Sequence, residues 1–339
     1  MTIIGAQAIG IANIAMDGSV LDTWFPTPEL VTNGLDYSGT ERLGAQDLPI
    51  KLLNLIRIDE DRMVEQVAVH TTIADLSKPP INAHDVYLRL HLLSHRLVKP
   101  ATINMDRAID QLTVTVWTNK GPCLPDNFEH MRTSLMSRGL IHVYGIDPLP
   151  RMVDYVVPSG VQITEAERVR LGAYLAPGTR VMREGFVSHN AGTLGPGRVE
   201  GRISSGTVIG TNVDLGISAS LVSMKPAIMH VGNNCSFGVS ASVIGLNLGD
   251  NVHVGNNIVL DPTTPLLFAD TGEIHLAGEI DGQSDWLIKA EKHSVEPVAR
   301  RISDHDLQFL AQKPPTTNHT NYLSPTENFN STESVSSAH

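Results

Sequence analysis

The sequence predicts a parallel β-helix preceded by an α+β region, and three observations carry that prediction. Aliphatic residues recur every six positions between Val169 and about Leu260, in four phases. These run Val169, Leu175, Val181, Val187, Thr193, Val199; then Ile203, Ile209, Leu215, Leu221; then Val231, Phe237, Val243; then Leu248, Val254, Leu260. A small or apolar residue follows four positions after most of them, as at Ala173, Thr179, Ala191, Ala219, Cys235 and Ala241. Glycine and asparagine mark the intervening corners at Gly210-Thr211-Asn212, Gly232-Asn233-Asn234, Gly249-Asp250-Asn251 and Gly255-Asn256-Asn257, where they supply unusual backbone angles. A period of six matches neither the helix, near 3.6, nor the strand, at 2. It matches a solenoid in which three hexads close a triangular coil and stacked coils bury one another's aliphatics.

The elements before the coils are expected in the following order. Gly5 to Ala15 reads as a strand ending in a turn at Asp17-Gly18. Leu52 to Ile58 and Val64 to Thr72 read as strands flanking Asp59-Glu60-Asp61-Arg62. Asn82 to Val98 reads as a helix, capped by Asn82 with Asp85 three residues on and stopped before Pro100. Leu112 to Trp117 is a β-branched strand, and Pro125 to Arg138 a second helix ended by Gly139. Leu140 to Gly145 and Met152 to Val157 read as strands, and Thr164 with Glu167 as a capping box on a single turn. The pattern breaks at Val222 to His230, which predicts a loop leaving the coil. The organisation expected is an α+β domain over 1–160, a β-helix over 161–265, an extension over 266–311 and a disordered tail over 312–339.

Composition excludes several function classes. The 339 residues are 41% apolar and 18% charged, as in a globular protein, with a net charge of −11. That charge argues against a generic nucleic-acid or anionic-membrane binder. No segment has the length of a membrane span or the pattern of a leader, so a cytoplasmic protein with small-molecule substrates is expected. The two cysteines, Cys123 and Cys235, have no metal-site spacing, and Cys235 falls on an inward hexad position.

Several stretches resemble the longer form of tetrahydrodipicolinate N-succinyltransferase, a hexapeptide-repeat acyltransferase. They are Val153 to Val161, Arg168 to Thr179, Glu184-Gly185-Phe186-Val187, Asn190 to Gly195 and Val199-Glu200-Gly201-Arg202-Ile203-Ser204. Upstream, Leu52 to Ile58, Val69 to Leu76 and Val86 to Arg96 resemble it too. The resemblance implies a left-handed coil, a homotrimer, and transfer of a succinyl group from succinyl-CoA to an amine in lysine and diaminopimelate biosynthesis. It implies Glu200 as the catalytic residue, with Arg202, Ser220, Val239 and Asn256 as substrate- and CoA-binding positions. Glu167 and Glu184 match positions that hold a structural Mg2+ at the trimer axis; carboxylate oxygens suit that hard cation. After Ser204 the chain departs from the family pattern, with Ile217 where the family has a glycine.

The residue chemistry is consistent with acyl transfer. An amine attacking a thioester needs a proton acceptor, donors for the oxyanion, and cations for carboxylates and phosphates. Glu200-Gly201-Arg202 places a carboxylate and a guanidinium on one turn, and the bland alternative is a corner ion pair between the two. Three other readings stand beside it. One is a diverged paralogue using another acyl-CoA or acceptor, and one is a non-catalytic trimeric scaffold. The third is a zinc enzyme of the γ-carbonic anhydrase type using His189, His230 and His253.

Overall fold

A computed structural model describes residues 4–32, 34–44, 46, 48, 50–224 and 226–303. The expected tail over 312–339 lies outside the described residues.

The chain opens with a sheet built on two long strands, β1 (Ile4–Ala15) and β6 (Val64–Ile73), which pair antiparallel. Between them in sequence lie β2 (Val20–Trp24), β3 (Glu29–Thr32), β4 (Gly39–Arg42), the single turn α1 (Ile50–Leu53) and β5 (Arg57–Asp59). The expected strand from Leu52 therefore starts as a helical turn and becomes extended only at Arg57. α2 (Ala83–Ser94) covers one side of this sheet and is buried on nearly every residue. Its cap is the expected one: the Asn82 side chain accepts a hydrogen bond from the Asp85 N–H at 3.0 Å. Arg89, within α2, is fully buried but satisfied, by Asp85 at 2.6 Å and by the carbonyls of Leu76 and Asn104.

A second small sheet follows, from β7 (Thr115–Thr118), β8 (Gly121–Cys123) and β9 (Val143–Asp147), with α3 (Phe128–Leu135) between the last two. Gly139 ends that helix region in a left-handed conformation, φ 96°. Two expectations fail here. Met152–Asp154 forms a 3-10 turn rather than a strand. Thr164 and Glu167 form no capping box: the turn Ala166–Arg168 starts from Glu165, and no side chain caps it.

The solenoid has three faces of parallel strands. The first comprises Gln162–Ile163, Thr179–Val181, Gly197–Val199, Val213–Leu215, Ser236–Phe237 and His253–Val254. The second comprises Ala173–Leu175, Ala191–Thr193, Thr207–Ile209 and Met229–Val231; the third Phe186–Val187, Arg202–Ile203, Ser220–Val222, Ser242–Ile244 and Val259–Leu260. The hexad aliphatics point inward and stack in register, as in Val181, Val199, Leu215, Phe237 and Val254, all nearly or fully buried. Burial of this column, at about 25 cal/mol per Å² of apolar surface, is the main stabilising term of the coils.

Breaks of phase in the sequence become coil turns of altered length. The step from Leu221 to Val231 spans ten positions instead of six and contains the loop after Val222. The corners also divide their labour differently from expectation. The left-handed residues are Asn212, Asn234, Asn251 and Asn257, whereas the glycines opening those corners make room for stacking. A Cβ on Gly232 would lie 2.5 Å from the Gly249 carbonyl carbon. The asparagines form a ladder along one edge: Asn212 Nδ2 donates to Asn234 Oδ1 at 3.0 Å, Asn234 Nδ2 to Asn251 Oδ1 at 3.2 Å, and Asn251 Nδ2 to Asp285 Oδ1 at 2.7 Å.

α2 abuts the first coil, where Ser94 Oγ accepts from the Gly172 N–H at 2.8 Å and donates to the Ala173 carbonyl. At the other end the chain past Leu260 turns back. Trp286–Lys289 extends the first face by pairing parallel with His253–Val254, and Val298–Arg301 pairs onto it. The described residues through Arg301 form one compact unit. Among the described residues, no helix is long and apolar enough to cross a membrane.

Candidate active site

The corner joining the first face to the third is repeated on successive coils, and one copy is contracted. From inward residue to inward residue it spans six positions at Val181–Val187, Leu215–Leu221, Phe237–Val243 and Val254–Leu260. At Val199–Ile203 it spans four. The missing pair leaves a notch. On its two sides Arg183 and Ile217 belong to longer corners and are exposed, the Arg183 side chain by 79%. Glu200 sits in the notch with its side chain only 16% exposed.

The backbone of the notch is pinned. The Glu200 N–H donates to the Leu215 carbonyl at 2.9 Å and the Arg202 N–H to the Ala219 carbonyl at 2.7 Å, while the Gly201 carbonyl accepts from the Phe186 N–H at 2.9 Å. Gly201 must be glycine, because a Cβ there would lie 2.2 Å from the Ala219 carbonyl oxygen. Later coils carry Gly216, Gly238 and Gly255 at the position that Glu200 occupies here.

One guanidinium group holds the carboxylate, and a second on the same turn does not. Arg198 contacts Glu200 Oε2 directly and reaches Asp214 Oδ1 at 3.2 Å with its other nitrogen. Arg202 turns the other way and lies over the Phe186 ring, 4.4 Å from its centroid. The alternative of a Glu200–Arg202 corner pair is therefore not what forms; Arg198 pairs with Glu200, and Arg202 makes no ion pair among the described residues.

The remaining sequence-derived positions fall along the same corner. Ser220 lies next to Arg202 in register on the third face. Val239, 46% exposed, and Asn256 occupy the corner on later coils, with Asn256 Oδ1 accepting from the Val239 N–H at 2.8 Å. With strands about 4.8 Å apart, the three coil steps from Glu200 to Asn256 span roughly 14 Å. Ile217 stands between, exposed on its corner.

Glu167 and Glu184 also lie near one another, on stacked coils whose Val169 and Val187 are paired. Both are exposed, and Glu184 faces Arg168 at 3.7 Å. Among the described residues no cluster of three metal-ligating side chains occurs in the single chain. The three histidines do not converge. His230 is on the second face and His253 on the first, bonded to Ser236 Oγ at 2.6 Å, while His189 is buried at a corner beside Ser188 and Ser205. Within the single chain the described residues thus gather no three-histidine site.

A separate cleft of about 440 Å³ lies between the two N-terminal sheets, lined by Asp22, Trp24, Trp117, Tyr144, Arg151 and Tyr155 among others. Burial pushes the Asp22 carboxyl up, and Tyr155 O–H and Asn13 Nδ2, at 2.5 and 2.6 Å, already donate to it. Arg151 is paired with Asp154 and stacked on Tyr144. Its polar groups are thus committed to one another.

Comparison with known proteins gives the same direction as the notch. The family model for the middle region of tetrahydrodipicolinate N-succinyltransferase matches residues 112–151, and that for the hexapeptide repeat of succinyl-transferase matches 229–262. A 2,3,4,5-tetrahydropyridine-2,6-dicarboxylate N-succinyltransferase of Salinispora tropica is 46% identical over 211 residues, which is 62% of this chain and 65% of that one. The enzyme of the same name from Pseudomonas aeruginosa is 38% identical over 230 residues, 65% of this chain and 66% of that one. This chain is a relative of these succinyltransferases. The match spans just under two thirds of the length of either relative. A crystal structure from Campylobacter jejuni, described as a proposed 2,3,4,5-tetrahydropyridine-2-carboxylate N-succinyltransferase, shares the fold. Its TM-score is 0.75 over 90% of this chain and 93% of its own, at 22% identity.

The sequence singles out Glu200 and Arg202; the structure adds Arg198 beside Glu200 and Asp214 beside Arg198. The signal was available: Arg198 precedes Glu200 by two residues, the spacing that puts side chains on the same side of a strand.

Proposed function

We propose that this chain is an N-succinyltransferase that moves a succinyl group from succinyl-CoA to the amine of tetrahydrodipicolinate, as its open form L-2-amino-6-oxopimelate, in lysine and diaminopimelate biosynthesis. The observation that carries the reading is the recessed Glu200, held by the Arg198 guanidinium and followed two residues on by Arg202, in a chain 46% identical over 211 residues to a protein of that name. The amine nitrogen attacks the thioester carbonyl carbon. A C–N bond forms, the C–S bond breaks, and the amine proton passes through the Glu200 carboxylate to the departing CoA thiolate. Arg202, whose planar fork has no carboxylate partner among the described residues, suits a carboxylate of the acceptor or of the succinyl group. The corner from Ser220 through Val239 to Asn256 offers a groove side for the extended CoA.

The active assembly is proposed to be a homotrimer in the cytoplasm, with neighbouring coils closing the open notch. A structural magnesium ion fits only that assembly. Glu167 and Glu184 offer suitable oxygens, but the described residues of one chain gather no cluster of three ligands, so an axis of three copies would have to. A stable monomer by sedimentation at micromolar concentration would sink the trimer.

The activity is tested by mixing the protein with succinyl-CoA and the amine acceptor, following free CoA thiol and identifying the succinylated product by mass spectrometry. Acceptor-dependent CoA release is expected. Glu200→Gln should lower turnover by about 10²–10⁴, the usual worth of a general base, with acyl-CoA affinity by calorimetry little changed. A protein that binds no succinyl-CoA would instead be a scaffold, and one that releases CoA only with another acyl group or acceptor would be a paralogue.

A further inference from the structure

We infer that Arg198 and Asp214 form a positioning pair that fixes the Glu200 carboxylate in the notch; the inference rests on the catalytic reading of Glu200. The placement follows from the backbone. Val199 points into the core, so Arg198 and Glu200 on either side of it both point outward. Asp214 is the registered neighbour of Arg198 on the next coil. One guanidinium therefore spans two carboxylates, one along its strand and one across to the next, reaching Glu200 Oε2 and, at 3.2 Å, Asp214 Oδ1.

Each part has a physical role. A glutamate side chain on a corner would otherwise sample several rotamers, and holding it costs side-chain entropy on each turnover unless a partner has already fixed it. Arg198 supplies that partner through a charge-assisted contact. It takes only Oε2; no hydrogen bond to Oε1 occurs among the described residues, and that oxygen is left for the incoming amine. Asp214 holds the far side of the guanidinium, so the arginine cannot swing away to follow an anionic substrate. On the next coil the position two after the outward residue is Gly216, so only here does a carboxylate follow the outward cation.

The test is steady-state kinetics on the full chain with succinyl-CoA and L-2-amino-6-oxopimelate, comparing Arg198→Met, Arg198→Lys, Asp214→Asn and Glu200→Gln. A charged hydrogen bond is worth about 1.5–3 kcal/mol, so Arg198→Met should lower kcat by about 10- to 100-fold with both KM values within about two-fold. Arg198→Lys should recover part of the loss, and Asp214→Asn should lower kcat by several-fold. A rise in KM for either substrate with kcat intact would show that Arg198 binds substrate, overturning the inference. Wild-type kinetics in Arg198→Met beside a disabled Glu200→Gln would do the same while sparing the catalytic reading. Near-normal turnover in Glu200→Gln would remove that reading and this inference together. If Arg198→Met melts below the assay temperature, the Lys and Asn variants decide: unchanged kcat in both overturns the pair.

Discussion

Replacing Gly201 with alanine tests the contracted corner itself. The added methyl carbon would sit 2.2 Å from the Ala219 carbonyl oxygen and 2.9 Å from that of Gly216. Even a close C–H···O contact keeps the carbon about 3.3 Å away, so something must move by about 1 Å. Both obstacles are backbone, and the same Ala219 oxygen accepts the Arg202 N–H at 2.7 Å. A shift of that size breaks this bond or the one from Phe186 to Gly201, at roughly 1 kcal/mol, with overpacking strain of about 1–3 kcal/mol added. The variant should lose about 2–4 kcal/mol in urea unfolding. Its turnover should fall well beyond what that predicts at a temperature where it is folded, because Glu200 moves with the corner. Alanine tolerated with unchanged unfolding midpoint and turnover would refute the pinned notch.

Other outcomes follow from groups away from the site. Burial pushes the Asp59 carboxyl up, but Arg138 and then Arg62 outweigh it and hold it at about 2. Its contribution is therefore complete above the unfolded value of 3.8 and is lost as pH falls through about 2; in urea unfolding between those values, Asp59→Asn should flatten the stability curve. Burial lowers His84 to about 4, aided by Arg42, and His91 to about 3 despite its bond to the Tyr87 carbonyl. Both stay neutral in the fold while the unfolded chain takes protons below about 6.5, so stability should fall steadily from about pH 6.5 towards 4. A stability flat across that range would count against their burial. Burial raises both cysteine thiols to about 11, so iodoacetamide should label Cys123 and Cys235 only after denaturation. Asn234→Ala loses a left-handed residue, φ 56°, and two rungs of the ladder, and should cost about 1–3 kcal/mol in urea unfolding, more than Asn234→Gly.

The coils were legible in the sequence because one interaction, inward stacking of aliphatics, repeats at fixed spacing and leaves its period on the chain. Even the irregularities were written there: the slip of two positions between Val199 and Ile203 is the contracted corner, and the long step from Leu221 to Val231 is the loop. The N-terminal region was legible only where local chemistry dominates, as at the Asn82 cap. Leu52 and Met152 were misread because their burial depends on distant partners, and a short apolar run does not say whether it becomes a turn or a strand. At the site, residue types could be chosen but not paired. Glu200 and Arg202 are neighbours in sequence, yet the strand's alternation and the next coil's register gave the carboxylate to Arg198.

The two ends of the solenoid decide how it can grow. A parallel coil has bare N–H and C=O groups at each end, an invitation to another coil or another molecule. Ser94 of α2 answers those of Gly172 and Ala173 at one end. At the other, residues 281–288 take up the bonds offered by Asn247, Gly249, Asp250 and Gly255. Lengthening by head-to-tail stacking of copies is thereby discouraged, as filament growth is in other repeat folds that carry terminal caps. An added coil would have to enter between these stoppers, as an internal insertion that pushes the ends apart while leaving the contracted corner intact.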